Sequence, residues 1–167
     1  PAIDLSRYKV VFLPATLLIC SVVSLATGSS WSTSATVGVA LIGIGKAVGI
    51  PEAMAAGAVV SGAYFGDKLS PLSDTTNLAP AMAGTDLFTH VRYMTITTVP
   101  TYIVTLLAFI ALSFTIKPHG AANAAGVMAA IDSVFTVTPW LFLVPALVIF
   151  MIVRKTQPLV ALIVGTL

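Results

Sequence analysis

Charge is scarce in this sequence. Six acidic and eight basic side chains among 167 residues are too few to cover a soluble core of that size with polar atoms, which argues against an ordinary water-soluble domain. The basic residues stand singly or in pairs, and the formal net charge is only +2. Without a basic stripe interleaved with aromatics, nucleic acid is not expected as a partner. Cys20 is the single cysteine and sits in an apolar run; no internal disulfide or cysteine zinc site can be built, and we read it as a small hydrophobe. No His or Cys pair has metal-ligand spacing. No Ser, His and acid arrangement or nucleophile elbow stands out. Residues 43–47, Gly-Ile-Gly-Lys-Ala, lack both the first glycine of a phosphate loop, replaced by Ala40, and the hydroxyl residue after its lysine. We therefore expect no enzyme and no cofactor.

What is abundant is apolar surface. Hydrophobic residues make up 57% of the chain and the mean hydropathy is +1.03, values that point to lipid as the main solvent. The expected fold class is all-α, a polytopic integral membrane protein with five or six membrane-embedded segments. Residues 95–116 and 134–153 are long and uncharged enough to span a hydrocarbon core of about 30 Å. Arg92 and Lys117 bracket the first, Asp132 and Arg154 the second. Pro100 and Pro145 should kink these two scaffold helices rather than end them. An apolar run over 10–26 stops at Thr27-Gly28-Ser29-Ser30-Trp31-Ser32-Thr33-Ser34, and a second covers 35–50. This reads as a helical hairpin over about 10–50 with a hydroxyl-rich tip. Pro51 and Glu52 open the next helix, which is expected to break at Gly66 and to form a broken transmembrane helix over about 52–92. Residues 1–167 thus form one transmembrane region. The chain starts at Pro1 without an initiator Met and ends in the apolar stretch 158–167, so we expect it to belong to a longer protein.

Small residues four apart, at Gly62 and Gly66 and at Gly45 and Gly49, allow membrane helices to approach closely. Lys46 and Glu52 are placed to pair across a turn, and His90 with Arg92 reads as an interfacial anchor.

The most polar stretch is 67–80, hemmed in by apolar segments. Two acids, a lysine and a run of hydroxyls and amide beside Pro71 and Pro80 form a dense group of oxygen ligands of the kind a hard cation requires. Broken helices supply such oxygens at membrane depth. Alternatively the stretch is an extramembrane loop, with Asp67 and Lys68 a solvated pair and Ser70, Ser73 and Asp74 capping helices.

The string GDKLSPLSDTTNLAPA at 66–81, with TGSSWST at 27–33 leading into ATVGVALIGIG at 35–45, resembles the motifs of the NhaC-type sodium/proton antiporter family. The resemblance implies one half of an inverted-repeat transporter in the inner, cytoplasmic membrane, with the second repeat as its missing partner. The bilayer, sodium and protons are the other partners, and a homodimer is compatible with such a fold. It implies sodium/proton exchange, with sodium- or proton-coupled exchange of an organic anion or amino acid, of the malate and lactate type, as the alternative. A membrane enzyme or a non-transporting scaffold subunit is a further rival. On this reading Asp74 is the preferred coupling carboxylate and Asp67 the next, with Lys68 neutralising Asp67. Ser70, Ser73, Thr75, Thr76 and Asn77, and from the tip Thr27, Ser29, Ser30 and Thr33, line the ion site. Asp74, Ser73, Thr75 and Asn77 are the expected sodium ligands.

Overall fold

The structure, a computed structural model, describes residues 5–116 together with Leu143, Ala146, Leu147, Phe150, Met151 and Arg154, with side chains from Val10 onward. The expected scaffold helix over 134–153 lies largely outside the described residues. Every regular element among them is helical: α1 (Leu5–Thr27), α2 (Ser30–Thr33), a π-helical turn (Ser34–Gly38), α3 (Val39–Ala47), α4 (Glu52–Leu69), α5 (Asp74–Ala83) and α6 (Leu87–Thr115). Among the described residues, Val10–Thr27 and Leu87–Thr115 are long and apolar enough to cross a membrane.

The fold is organised by the packing of α1 on α4. The two run parallel: a Cβ on Gly62 would overlap the Leu17 carbonyl oxygen, a Cβ on Gly66 would overlap the Ser21 carbonyl oxygen, and Ser70 Oγ donates to the Leu25 carbonyl at 2.8 Å. Each of these partners lies 45 positions further on, a steady register. Lipid is as apolar as leucine, so burial does not drive helices together within a bilayer, and close backbone contact with interhelical hydrogen bonds takes its place. Ser24 Oγ supplies another such bond to the Ala63 carbonyl at 2.5 Å. The small-residue spacing thus acts as expected, and it moves the break. Gly66 lies within α4 because its missing side chain admits α1; the helix ends only after Leu69.

Helices α3 and α6 run antiparallel to this pair. Gly38 abuts Val59 and Gly45 faces Phe12 and Ala55, which folds α3 back along both α1 and α4. Phe65 of α4 stacks on Tyr102 of α6 at 3.7 Å between ring centroids, and Tyr102 OH meets Ser21 Oγ of α1 at 2.7 Å. Leu13, Leu17, Ala55, Ala58 and Phe109 fill the space between α1, α4 and α6.

One boundary here differs from expectation for an identifiable reason. Helix α6 begins at Leu87 rather than near residue 95, because Asp86 caps it by accepting from the Thr89 N–H at 3.0 Å. His90 and Arg92 therefore belong to its first turns. Helix α5 begins at Asp74, after Ser73, and ends at a left-handed Gly84. Pro80 lies inside α5. Pro51 precedes α4 as its cap, with the Met54 and Ala55 N–H groups bonded to its carbonyl.

Lys46 and Glu52 pair at 2.7 Å across the α3–α4 turn, both largely exposed. The hydrogen bond to Glu52, and then its charge, hold the Lys46 ammonium above its ordinary range. Exposed pairs contribute little. Glu52→Gln is expected to leave the thermal midpoint of the detergent-solubilised protein within error; a fall of several degrees would make this pair a structural clamp.

Candidate functional site

Parallel packing of α1 and α4 brings their ends side by side, and both chains break there. Gly28 adopts φ 69° and its N–H closes on the Ser24 carbonyl at 2.8 Å. A Cβ at Gly28 would lie 2.6 Å from the carbonyl carbon of Leu72. Glycine is thus required twice, for the left-handed turn and for contact with the α4–α5 break. The two breaks abut along a polar seam, joined by the Ser70 bond to Leu25 and by Ser30 Oγ, which donates to Asp67 Oδ2 at 2.8 Å.

Asp67 is half-buried in this seam. Its Oδ1 is buried and has no hydrogen-bond partner among the described residues. Thr76 Oγ1 closes on the Asp67 and Lys68 carbonyls at 3.2 and 3.3 Å, tying α5 back to the end of α4. Asn77 Nδ2 donates to the Pro71 and Ser73 carbonyls at 2.6 and 2.7 Å, which holds the break in shape. Ser70, Ser73 and Thr76 are buried, as a packed break requires and a solvated loop does not.

The remaining expected residues are distributed more widely. Asp74 is exposed on the first turn of α5, its Oδ1 accepting from the Thr75 N–H at 2.7 Å. Ser73 and Thr75 hydroxyls meet each other at 3.0 Å. Ser29 caps α2 by accepting from Ser32 N–H at 3.2 Å. Thr33 is buried, donates to the Ser29 carbonyl at 2.8 Å, and lies 3.4 Å from the Thr27 hydroxyl. Trp31 of the tip is 87% exposed. The structure also corrects the expected Asp67–Lys68 pair: Lys68 Nζ lies over the Tyr64 ring, 5.3 Å from its centroid, and among the described residues the ion pair is Lys46–Glu52. Adjacent residues on a helix point about 100° apart, so Asp67 and Lys68 look into different spaces.

Lys68 looks into a groove between α4 and α6 that sequence reasoning did not anticipate. Thr97, Thr98, Thr101 and Thr105 line it from α6 and Ser61, Tyr64 and Lys68 from α4, around about 460 Å³. Hydroxyls four apart at 97, 101 and 105 were the available signal, inconspicuous within a long apolar run.

An all-helical architecture among the described residues, with two helices apolar and long enough to cross a membrane, one of them ending at a packed polar seam, is that of a helical membrane protein. The sequence model described as the Na+/H+ antiporter family matches residues 62–167, and this chain belongs to that family. It is 46% identical over 156 residues to the Na(+)/H(+) antiporter NhaC of Alkalihalophilus pseudofirmus, covering 93% of this chain and 34% of the relative. It is 40% identical over 162 residues to the malate-2H(+)/Na(+)-lactate antiporter of Bacillus subtilis, covering 94% and 34%. It is 44% identical over 110 residues to the arginine/ornithine antiporter ArcD of Halobacterium salinarum, covering 66% and 23%. The chain spans about a third of the length of the first two. No solved structure matches it.

Proposed function

We propose that this chain supplies the carboxylate-bearing half of a sodium/proton antiporter, a multi-pass protein of the cytoplasmic membrane in which a second, inverted repeat completes the ion path. Asp67 is the shared carboxylate and Asp74 the next candidate. The observation that carries the reading is the buried, unpartnered Oδ1 of Asp67 beside Ser30, at the junction of two helix breaks. An ionised carboxylate oxygen removed from water is stabilised by a proton or by a sodium ion, and a single carboxylate holding one at a time couples the two fluxes. Ser30 and the backbone carbonyls of the breaks furnish further oxygens for sodium. Full-length protein in vesicles is expected to dissipate an imposed pH gradient on addition of sodium alone; a gradient that survives sodium overturns the proposal.

The two tip serines separate in this reading. Ser30→Ala removes the partner of Asp67 and is expected to raise the sodium concentration for half-maximal exchange several-fold. Ser29→Ala removes a helix cap, at about 1 kcal/mol, and is expected to lower the thermal midpoint with little change in sodium dependence. Equal sodium dependence in wild type and Ser30→Ala would exclude the tip from the ion site.

A second reading, exchange coupled to an organic acid, draws support from the relative named for malate and lactate. In vesicles it differs by requiring the acid as well as sodium.

A further inference from the structure

We infer that the groove between α4 and α6 is a binding site for a small organic carboxylate that carries a hydrogen-bond donor of its own, with Lys68 holding the carboxylate. The site is separate from the Asp67 seam, and it rests on the organic-acid reading only for the claim that such an acid is bound.

Lys68 is the charged residue among those lining the groove. No carboxylate among the described residues pairs with it, and its neighbour is the face of the Tyr64 ring. Its depth matters. Phe65, three residues earlier on α4, stacks on Tyr102 near the middle of the 29-residue α6. Lys68 shares the groove with Thr97, ten residues in from Leu87, which is about 15 Å along the helix axis. An ammonium at that level of a membrane helix is costly unless an anion meets it.

The opposite wall specifies the rest of the ligand. Thr97 Oγ1 donates to the Met94 carbonyl at 3.2 Å, Thr101 to Thr97 at 2.8 Å and Thr105 to Thr101 at 2.9 Å. With their protons committed to the helix backbone, these hydroxyls offer lone pairs and therefore suit a ligand donor such as a hydroxyl. The floor is closed by the Phe65–Tyr102 stack, which Ser21 holds in place through Tyr102 OH. A groove of about 460 Å³ has room for an acid of a few carbons. A bare halide would satisfy Lys68 but leave the threonine wall unused.

Lactate and propionate differ by one hydroxyl and make a matched pair of probes for calorimetry on the detergent-solubilised full-length protein. Lactate is expected to bind about tenfold more tightly than propionate, and Lys68→Met to weaken both by at least about tenfold. Thr101→Val is expected to reduce the preference for lactate while leaving propionate binding unchanged. Wild-type affinities in Lys68→Met, or binding of neither acid by wild type, would overturn the site. Should Lys68→Met fail to fold, Thr101→Val decides: an unchanged lactate-to-propionate ratio overturns the proposal. Lactate flux in vesicles is measured in parallel. Flux that persists at wild-type affinity in Lys68→Met would leave organic-acid exchange standing and remove the groove from it.

Discussion

Replacing Asp67 by Asn is expected to reduce sodium-driven proton movement to background while the protein still inserts and folds. Asn keeps the size of the side chain and an oxygen that accepts from Ser30, whose bond to Asp67 is 2.8 Å long. It loses the group that exchanges a proton for a cation. The amide nitrogen replaces an oxygen that already lacks a partner, so the structural penalty is about that of one poorly satisfied polar group, on the order of 1 kcal/mol, and moves the thermal midpoint by a few degrees. Asp74→Asn is the matched control. Asp74 is exposed at the start of α5, where its charge contributes about 0.3–1 kcal/mol to the helix terminus. Exchange is expected to persist in that variant. If Asp74→Asn abolishes exchange and Asp67→Asn leaves it intact with its usual pH dependence, the coupling carboxylate is Asp74 and the seam is structural.

Gly66→Val is expected to produce the largest loss of stability. Its Cβ would overlap the Ser21 carbonyl oxygen and crowd Leu25 N, both backbone atoms that cannot rotate away, and valine adds two methyl groups to the overlap. The α1–α4 pair must separate, which also lengthens the Ser24–Ala63 and Ser70–Leu25 hydrogen bonds. Overpacking of this kind costs about 1–3 kcal/mol or more, and each interhelical hydrogen bond adds about 0.6–2 kcal/mol. Together they predict a destabilisation of at least about 2 kcal/mol, read as a fall in thermal midpoint or loss of folded protein in detergent. Gly43→Ala is the control, since nothing lies within 4 Å of a Cβ there and alanine is the better helix former by about 1 kcal/mol. A Gly66→Val protein as stable as Gly43→Ala would mean that α1 and α4 are not held together at this glycine.

The two substitutions also show which parts of the molecule were legible in one dimension. Membrane solvent follows from the scarcity of charge, and the existence of both breaks from glycine, hydroxyl residues and proline interrupting apolar runs, because these are local properties of the chain. The Gly62 and Gly66 spacing is a local signal as well, four residues being about one turn of a helix. Its spacing indicated that Gly66 would lie against a neighbour, but not which neighbour. With no partner to assign, Gly66 also read as the end of α4, four residues before Ser70 closes the helix against Leu25.

Asp67 and Asp74 lie in the same polar stretch, and the sequence reading preferred Asp74. The parallel register of α1 against α4 separates them. It sets Ser30 against Asp67 and leaves Asp74 on the exposed turn of α5. The same register, with α6 running antiparallel across it, turns Lys68 away from its neighbour and into a groove with threonines about thirty residues distant. Composition and short-range spacing therefore determined the solvent, the helices and the existence of two polar breaks. The tertiary structure decided which carboxylate lies between those breaks and which space the lysine faces, because a helix repeat of 3.6 residues sends adjacent side chains in different directions and only the packing partner gives each direction a meaning.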